Sequence, residues 1–149
     1  MCPRPSRRRD RRGFTLVELL LALAALAVLA AIALPSFFEQ LARARRTDVQ
    51  AALLEDAAYM QHYYATHNAY ADVPAPQLPV PQSPRTGAAS YTIAVSVPAA
   101  EPTSFVLTAT RAGAMRADAC GDFTYDSLGR RDLVAATAAD GRDAGRCWR

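Results

Sequence analysis

A single carboxylate, Glu18, stands inside a run of otherwise apolar, hydroxyl and proline side chains from Phe14 to Phe38. A run of that length spans the ~30 Å hydrocarbon core of a bilayer as a helix. A carboxylate placed there costs about 2.5–3.5 kcal/mol on insertion scales, a cost that marks a functional group. The chemistry open to it is ion pairing, because a carboxylate and an amine attract strongly at low dielectric whereas either alone is expensive. Ahead of the run come Arg4, Arg7, Arg8, Arg9, Arg11 and Arg12, one Asp10, and then Gly13. A cut after Gly13 would create a cationic α-amine at Phe14, and no other positive group lies nearby to pair with Glu18.

The remaining candidates for chemistry are weaker. Asp118, Asp122, Asp126, Asp132, Asp140 and Asp143 share residues 111–149 with seven arginines. None falls in an oxygen-ligand loop such as D-x-D-x-D-G, so they read as a mixed solvated surface rather than a calcium site. His62 and His67 are not at metal-ligand spacing, and neither forms a set with a cysteine or a Ser-Asp pair. There is no phosphate-cradling glycine loop and no H-E-x-x-H. The expectation is no enzyme, no cofactor and no metal. Tyr59, Tyr63, Tyr64 and Tyr70 are expected to pack on a sheet with their polar tips outward.

These groups need elements to position them. No Gly or Pro occurs between Ser36 and Asn68, and Leu41, Val49, Leu53, Ala57 and Met60 recur on one helical face. The spacing predicts one helix from Phe14 to about Tyr64, roughly 75 Å long at 1.5 Å per residue. Its first half is apolar all round and its second half amphipathic. Glu39 and Arg43 form an i,i+4 pair in the favourable order. Pro35 removes a backbone donor and disfavours helical geometry at Leu34, which predicts a kink or a loosened turn. Pro74, Pro76, Pro79, Pro81 and Pro84 then mark a wrapped or extended loop. Residues 91–97 and 105–110 alternate and are β-branched, so they read as an antiparallel hairpin. Tyr91, Ile93, Val95 and Val97 share one face, and Phe105, Leu107 and Ala109 the matching one. Phe123–Asp126 reads as a third strand, followed by a turn over residues 127–130.

At 149 residues the chain is one domain by length, and its net charge is +3. Residues 1–13 contribute six positive and one negative charge, or +5, which leaves −2 for everything after them. The basic character therefore belongs to the first segment and is no argument for nucleic acid. Arginines clustered before a membrane span stay cytoplasmic and send the rest of the chain to the other side.

The stretch GFTLVEL at residues 13–19 resembles the class III signal of type IV prepilins and of the related secretion pseudopilins. That resemblance implies a cut by a prepilin peptidase between Gly13 and Phe14, methylation of the new Phe14 amine, and an assembly role for Glu18 as partner of a neighbouring amine. Pro35 matches the proline usual in the pilin helix, while Glu55 stands where large pilins carry a second one. Residues 120–126, Gly129-Arg130 and Cys147-Trp148 resemble the C-terminal block of PilE-type minor pilins. Cys2 would leave with the leader, so Cys120 and Cys147 remain in an oxidising compartment as an expected disulfide.

The implied fold is α+β: a long N-terminal helix on a small antiparallel sheet with a disulfide-closed C-terminal region. The implied division is a leader at 1–13, a transmembrane and assembly helix at 14–38 and a periplasmic domain at 39–149. The expected function is a minor pilin in type IV pilus assembly and twitching motility. The expected partners are other pilins, the peptidase and the inner-membrane assembly machinery. The chain would sit single-pass in the inner membrane, N-terminus cytoplasmic, and then in the pilus at the cell surface. The alternatives are a secretion pseudopilin, or a DNA-uptake or adhesion pilin in which Arg130, Arg131, Arg142, Arg146 and Arg149 gather. An ordinary secretory signal cut after Ala33, or a plain membrane anchor, would leave Glu18 without a purpose.

Overall fold

The computed structural model describes residues 14–70, 78–134, 137–139, 141 and 143–148. Two compact units divide between Phe38 and Glu39. One long helix, α1 (Leu16–His67), contributes to both. In the first unit its large apolar side chains, from Leu16 to Phe38, are exposed. It contains a window of mean hydropathy 2.7, long and apolar enough to cross a membrane. Backbone groups are satisfied within the helix, so such a surface is stable against lipid or against other apolar helices.

The second unit packs the rest of α1 on a five-stranded antiparallel sheet. The strands are β1 (Gln82–Ser83), β2 (Tyr91–Ser96), β3 (Val106–Arg111), β4 (Phe123–Asp126) and β5 (Arg131–Leu133), in the spatial order β1-β2-β3-β4-β5. A short helix, α2 (Ala144–Cys147), ends the described chain. The register sets Ile93 opposite Ala109 and Val95 opposite Leu107, and Ala109 opposite Phe123. Alternate residues thus share the face covered by α1. Val49, Leu53, Met60, Tyr91, Phe105, Leu107 and Phe123 are fully or almost fully buried there.

The structure differs from expectation in several places. The helix runs three residues beyond Tyr64, to His67, and stops at Asn68, whose φ of 56° is the left-handed geometry that ends helices. Leu41 is exposed rather than part of the core stripe. Eight residues exceed two turns of 3.6, which carries Leu41 to the flank of Val49, and the buried stripe continues upstream through Arg46 instead. The proline-rich stretch contains an edge strand, β1, held between Pro81 and Pro84. Prolines are tolerated at a sheet edge because no ladder donor is required of them there. The expected leader with Gly13, and Pro74 and Pro76, lie outside the described residues.

Candidate functional site

At the start of α1 the Thr15 hydroxyl accepts a hydrogen bond from the Glu18 N–H at 3.2 Å, and the Thr15 carbonyl accepts from Leu19 N–H at 3.2 Å. Thr15 therefore caps the helix, and Glu18 falls in the first turn. Unpaired N–H groups there favour a carboxylate. The T-x-x-E spacing of a capping box was present in the sequence as a signal for this helix start. Phe14, just ahead of the cap, is exposed.

The C-terminal corner is built from more distant parts. Cys120 and Cys147 are disulfide-bonded, with Cα atoms 5.8 Å apart, within the range such a bond requires. The bond fixes α2, which Asp143 caps by accepting from Arg146 N–H at 2.9 Å. Trp148 then packs edge-on against Phe123, ring centroids 5.5 Å apart. Its indole N–H donates to the Asp132 carbonyl at 3.0 Å. The Arg131 guanidinium lies 5.7 Å from the Trp148 ring centroid, within cation–π range. From α1, Gln50 donates to the Cys147 carbonyl at 2.7 Å.

Two adjoining cavities open at this corner. One of about 270 Å³ is lined by Glu39, Arg43, Arg46, Arg146 and Cys147. A second of about 160 Å³ is lined by Leu54, Arg131 and Trp148. Thr47 and Gln50 border both. The charge balance here is positive. Glu39 is the acidic group of the lining, and it is engaged by Arg43 and Arg46. Among the described residues, neither Arg131 nor Arg146 has a carboxylate partner.

Of the arginines expected to gather, Arg146 lines the larger cavity together with Arg43 from the helix, expected only as a partner for Glu39, and Arg131 lines the smaller one beside it. Arg130 is held by Asp126. Burial opposes ionisation of Asp126, but the Arg130 amide and guanidinium and the Leu128 amide outweigh it and hold the carboxyl below its usual range. Arg142 and Arg149 lie outside the described residues. Asp118 and Asp122 are not solvated surface. Asp118 receives both the Nε and the Nη2 of Arg46, and Asp122 accepts from the Arg111 amide and Nε at 2.9 and 3.0 Å. The hydrogen bond from Arg46 to Asp118 holds that guanidinium in its charged form more firmly than usual. The aromatic residues near the end of α1 are spent on packing: His67 stacks on Tyr63 at 4.0 Å, and Tyr64 and Tyr70 continue to Phe105.

This arrangement places guanidinium groups, a hydroxyl and an aromatic ring around open cavities, and an exposed apolar helix elsewhere. A family model described as type IV minor pilin ComP, DNA uptake sequence receptor, matches residues 35–124. The chain belongs to this minor pilin family. The prokaryotic N-terminal methylation motif matches residues 8–34. The type IV wide pilus major component PilA4 of Thermus thermophilus is 37% identical over 62 residues, 42% of this chain and 47% of the relative. The chain thus spans about half the length of that relative. A type IV pilin from Shewanella oneidensis aligns with 72% of this chain and 97% of its own, at 25% identity and a TM-score of 0.46. The non-core minor pilin PilV of Neisseria meningitidis aligns with 70% and 94%, at 18% identity and a TM-score of 0.49. The fold of this type IV minor pilin is α+β, as its sequence implied, with the Cys120–Cys147 bond in the C-terminal region.

Proposed function

We propose that this minor pilin is a structural, non-enzymatic subunit of a type IV pilus whose C-terminal corner binds double-stranded DNA during uptake. The match to the DNA-uptake-receptor family over residues 35–124 carries the reading. The cationic corner of Arg43, Arg131 and Arg146 supports it as a place where phosphates would seat. The exposed Thr47 supplies a neutral polar group beside them. A role confined to pilus assembly and twitching motility, adhesion, and a place in a secretion pseudopilus are the competing readings.

The full-length chain in detergent should bind a short labelled duplex with an affinity that falls steeply with salt. Arg131→Ala and Arg146→Ala should each lower the slope of log K against log salt by about 1, uniformly across DNA sequences, as loss of one phosphate contact does. Fluorescence anisotropy over a salt series reads this. Absence of salt-dependent binding by the wild-type chain would leave the structural role and remove the receptor role.

Assembly runs through the N-terminal segment. The leader is cut after Gly13, Phe14 is methylated, and the chain waits single-pass in the inner membrane with residues 39–149 outside. Machinery in the inner membrane then transfers it among other pilins, where apolar neighbours replace lipid. Glu18 pairs with the α-amine of a neighbouring subunit, and Pro35, which lacks a donor, frees the Ala31 carbonyl and loosens the helix. Glu18→Ala should remain inserted, since the span becomes more apolar. Its share in sheared filaments should drop on the order of a hundredfold, which is what an unpaired charge of about 2.5–3.5 kcal/mol implies. Immunoblots of filament and membrane fractions measure this, with N-terminal mass spectrometry on the same material. Wild-type incorporation would end the pairing model, and a chain starting at Leu34 would end the prepilin reading.

A further inference from the structure

Asp56 is a carboxylate that neither the assembly segment nor the cationic corner uses. It lies on the inner face of α1 and is fully buried. Its Oδ1 accepts the backbone N–H of Val80 at 2.9 Å, while its Oδ2 has no hydrogen-bond partner among the described residues. Val80 and Leu78 are themselves almost completely buried. The bond therefore ties the approach to β1 against the helix, next to the ladder contact in which the Ile93 amide donates to the Pro81 carbonyl. The charged groups acting on Asp56, among the described residues, are Glu55 on α1 and Arg85 beyond β1. Arg85 is engaged by the exposed Glu55 and makes no contact with Asp56. The segment facing Asp56 offers Leu78 and Val80, which are apolar, and Gln82 and Ser83, which are neutral.

A fully buried carboxylate held by one neutral amide, with no cation in contact, is costly when charged and tolerable when neutral. We propose that Asp56 is a proton-operated clasp. Protonated, it keeps residues 78–83 closed on α1; ionised, it favours their release and the uncovering of the helix face beneath. The domain thereby carries a surface whose availability follows the proton concentration outside the cytoplasm.

Burial raises the Asp56 carboxyl from 3.8 to about 6, with the Val80 amide opposing the shift and Glu55 adding to it. The closed form thus binds more protons than the open one. The clasp is at full strength below about pH 4, weakens as pH rises, and is at its weakest above about pH 6. A separation of about two pH units between closed and open forms changes the ratio of the two by up to about a hundredfold.

Hydrogen exchange of the full-length chain in detergent, corrected for intrinsic rates, tests this at pH 5 and pH 7.5. The amides of Leu78, Val80 and Gln82 should be up to about tenfold more protected at pH 5, while those of Val106–Arg111 in β3 change far less. Asp56→Asn keeps an acceptor for Val80 without a titrating group, and its protection should be independent of pH. Equal protection of wild type at both pH values overturns the clasp, as does the same loss in β3 or the same pH dependence in Asp56→Asn. If the variant does not fold, the comparison of the two segments in wild type decides.

Discussion

Asp118→Ala should lower the stability of the folded chain by about 3–5 kcal/mol, the usual loss when one member of a buried ion pair is removed. Arg46 is 8% exposed, and the Asp118 side chain 4%, so neither charge has water to fall back on. The carboxylate takes the Arg46 Nε at 3.1 and 3.2 Å and also accepts the Cys120 amide at 3.2 Å. Its backbone carbonyl receives Nη1 of Arg111 at 2.7 Å, and Arg111 in turn holds Asp122. The substitution therefore strands Arg46, with the half-exposed Glu39 as its remaining carboxylate among the described residues, and loosens the approach to Cys120. Replacing the pair together, Arg46→Met with Asp118→Leu, should recover much of the loss, because the desolvation penalty leaves with the charges. Urea denaturation of the full chain in detergent measures both. A loss under about 1 kcal/mol for Asp118→Ala would mean that the pair does not hold α1 to the sheet.

Asp118 also shows where sequence reasoning stopped. The helix was legible because its apolar spacing is a local pattern, and β2, β3 and β4 were legible from alternation around Tyr91, Phe105 and Phe123. Arg46 and Asp118 are 72 residues apart. In composition they looked like any other members of a mixed charged surface. Nothing local distinguishes an aspartate that folds inward to meet a guanidinium from one that faces water. The same holds for β1, β5 and α2, each of two to four residues. Elements that short are defined by the neighbour they pair with, such as Asp132 opposite Thr124, and carry no period of their own. The reversal before β5 depends on Asp126 accepting the amides of Leu128 and Arg130 at 2.9 Å each, a use of aspartate that the strand-and-turn reading left open. The candidate site was half visible for the same reason. Arg131 and Arg146 stood out as charges, but Arg43, Thr47 and Gln50 join them only once α1 is docked beside the C-terminal segment. Thr15 was different: its spacing to Glu18 was a local signal, available from the residues alone.

Breaking the Cys120–Cys147 bond should cost nearly as much as losing Asp118. The two cysteines are 27 positions apart, and closing a loop of that size removes about 3–4 kcal/mol of denatured-state entropy in the chain-entropy account. The consequence is also local. Cys147 holds α2, receives Gln50 from α1 through its carbonyl, and precedes the tryptophan whose ring packs on Phe123 and lies under Arg131. Freed at Cys147, the end of the chain keeps, among the described residues, the Trp148 packing on Phe123, its Arg131 and Asp132 contacts and the Gln50 bond. The corner that presents Arg131 and Arg146 would then lose its fixed geometry. Cys147→Ser and the reduced wild-type chain should therefore agree in two measurements. The urea midpoint should fall by the equivalent of about 3–4 kcal/mol. The affinity for duplex DNA at low salt should weaken even at temperatures where the variant stays folded, because the two arginines no longer act from one rigid surface. Thiol labelling of the unreduced chain should find neither Cys120 nor Cys147 reactive. A fall in stability without any change in DNA binding would place the phosphate contacts elsewhere on the domain, and reactive thiols in the exported protein would refute the bond itself.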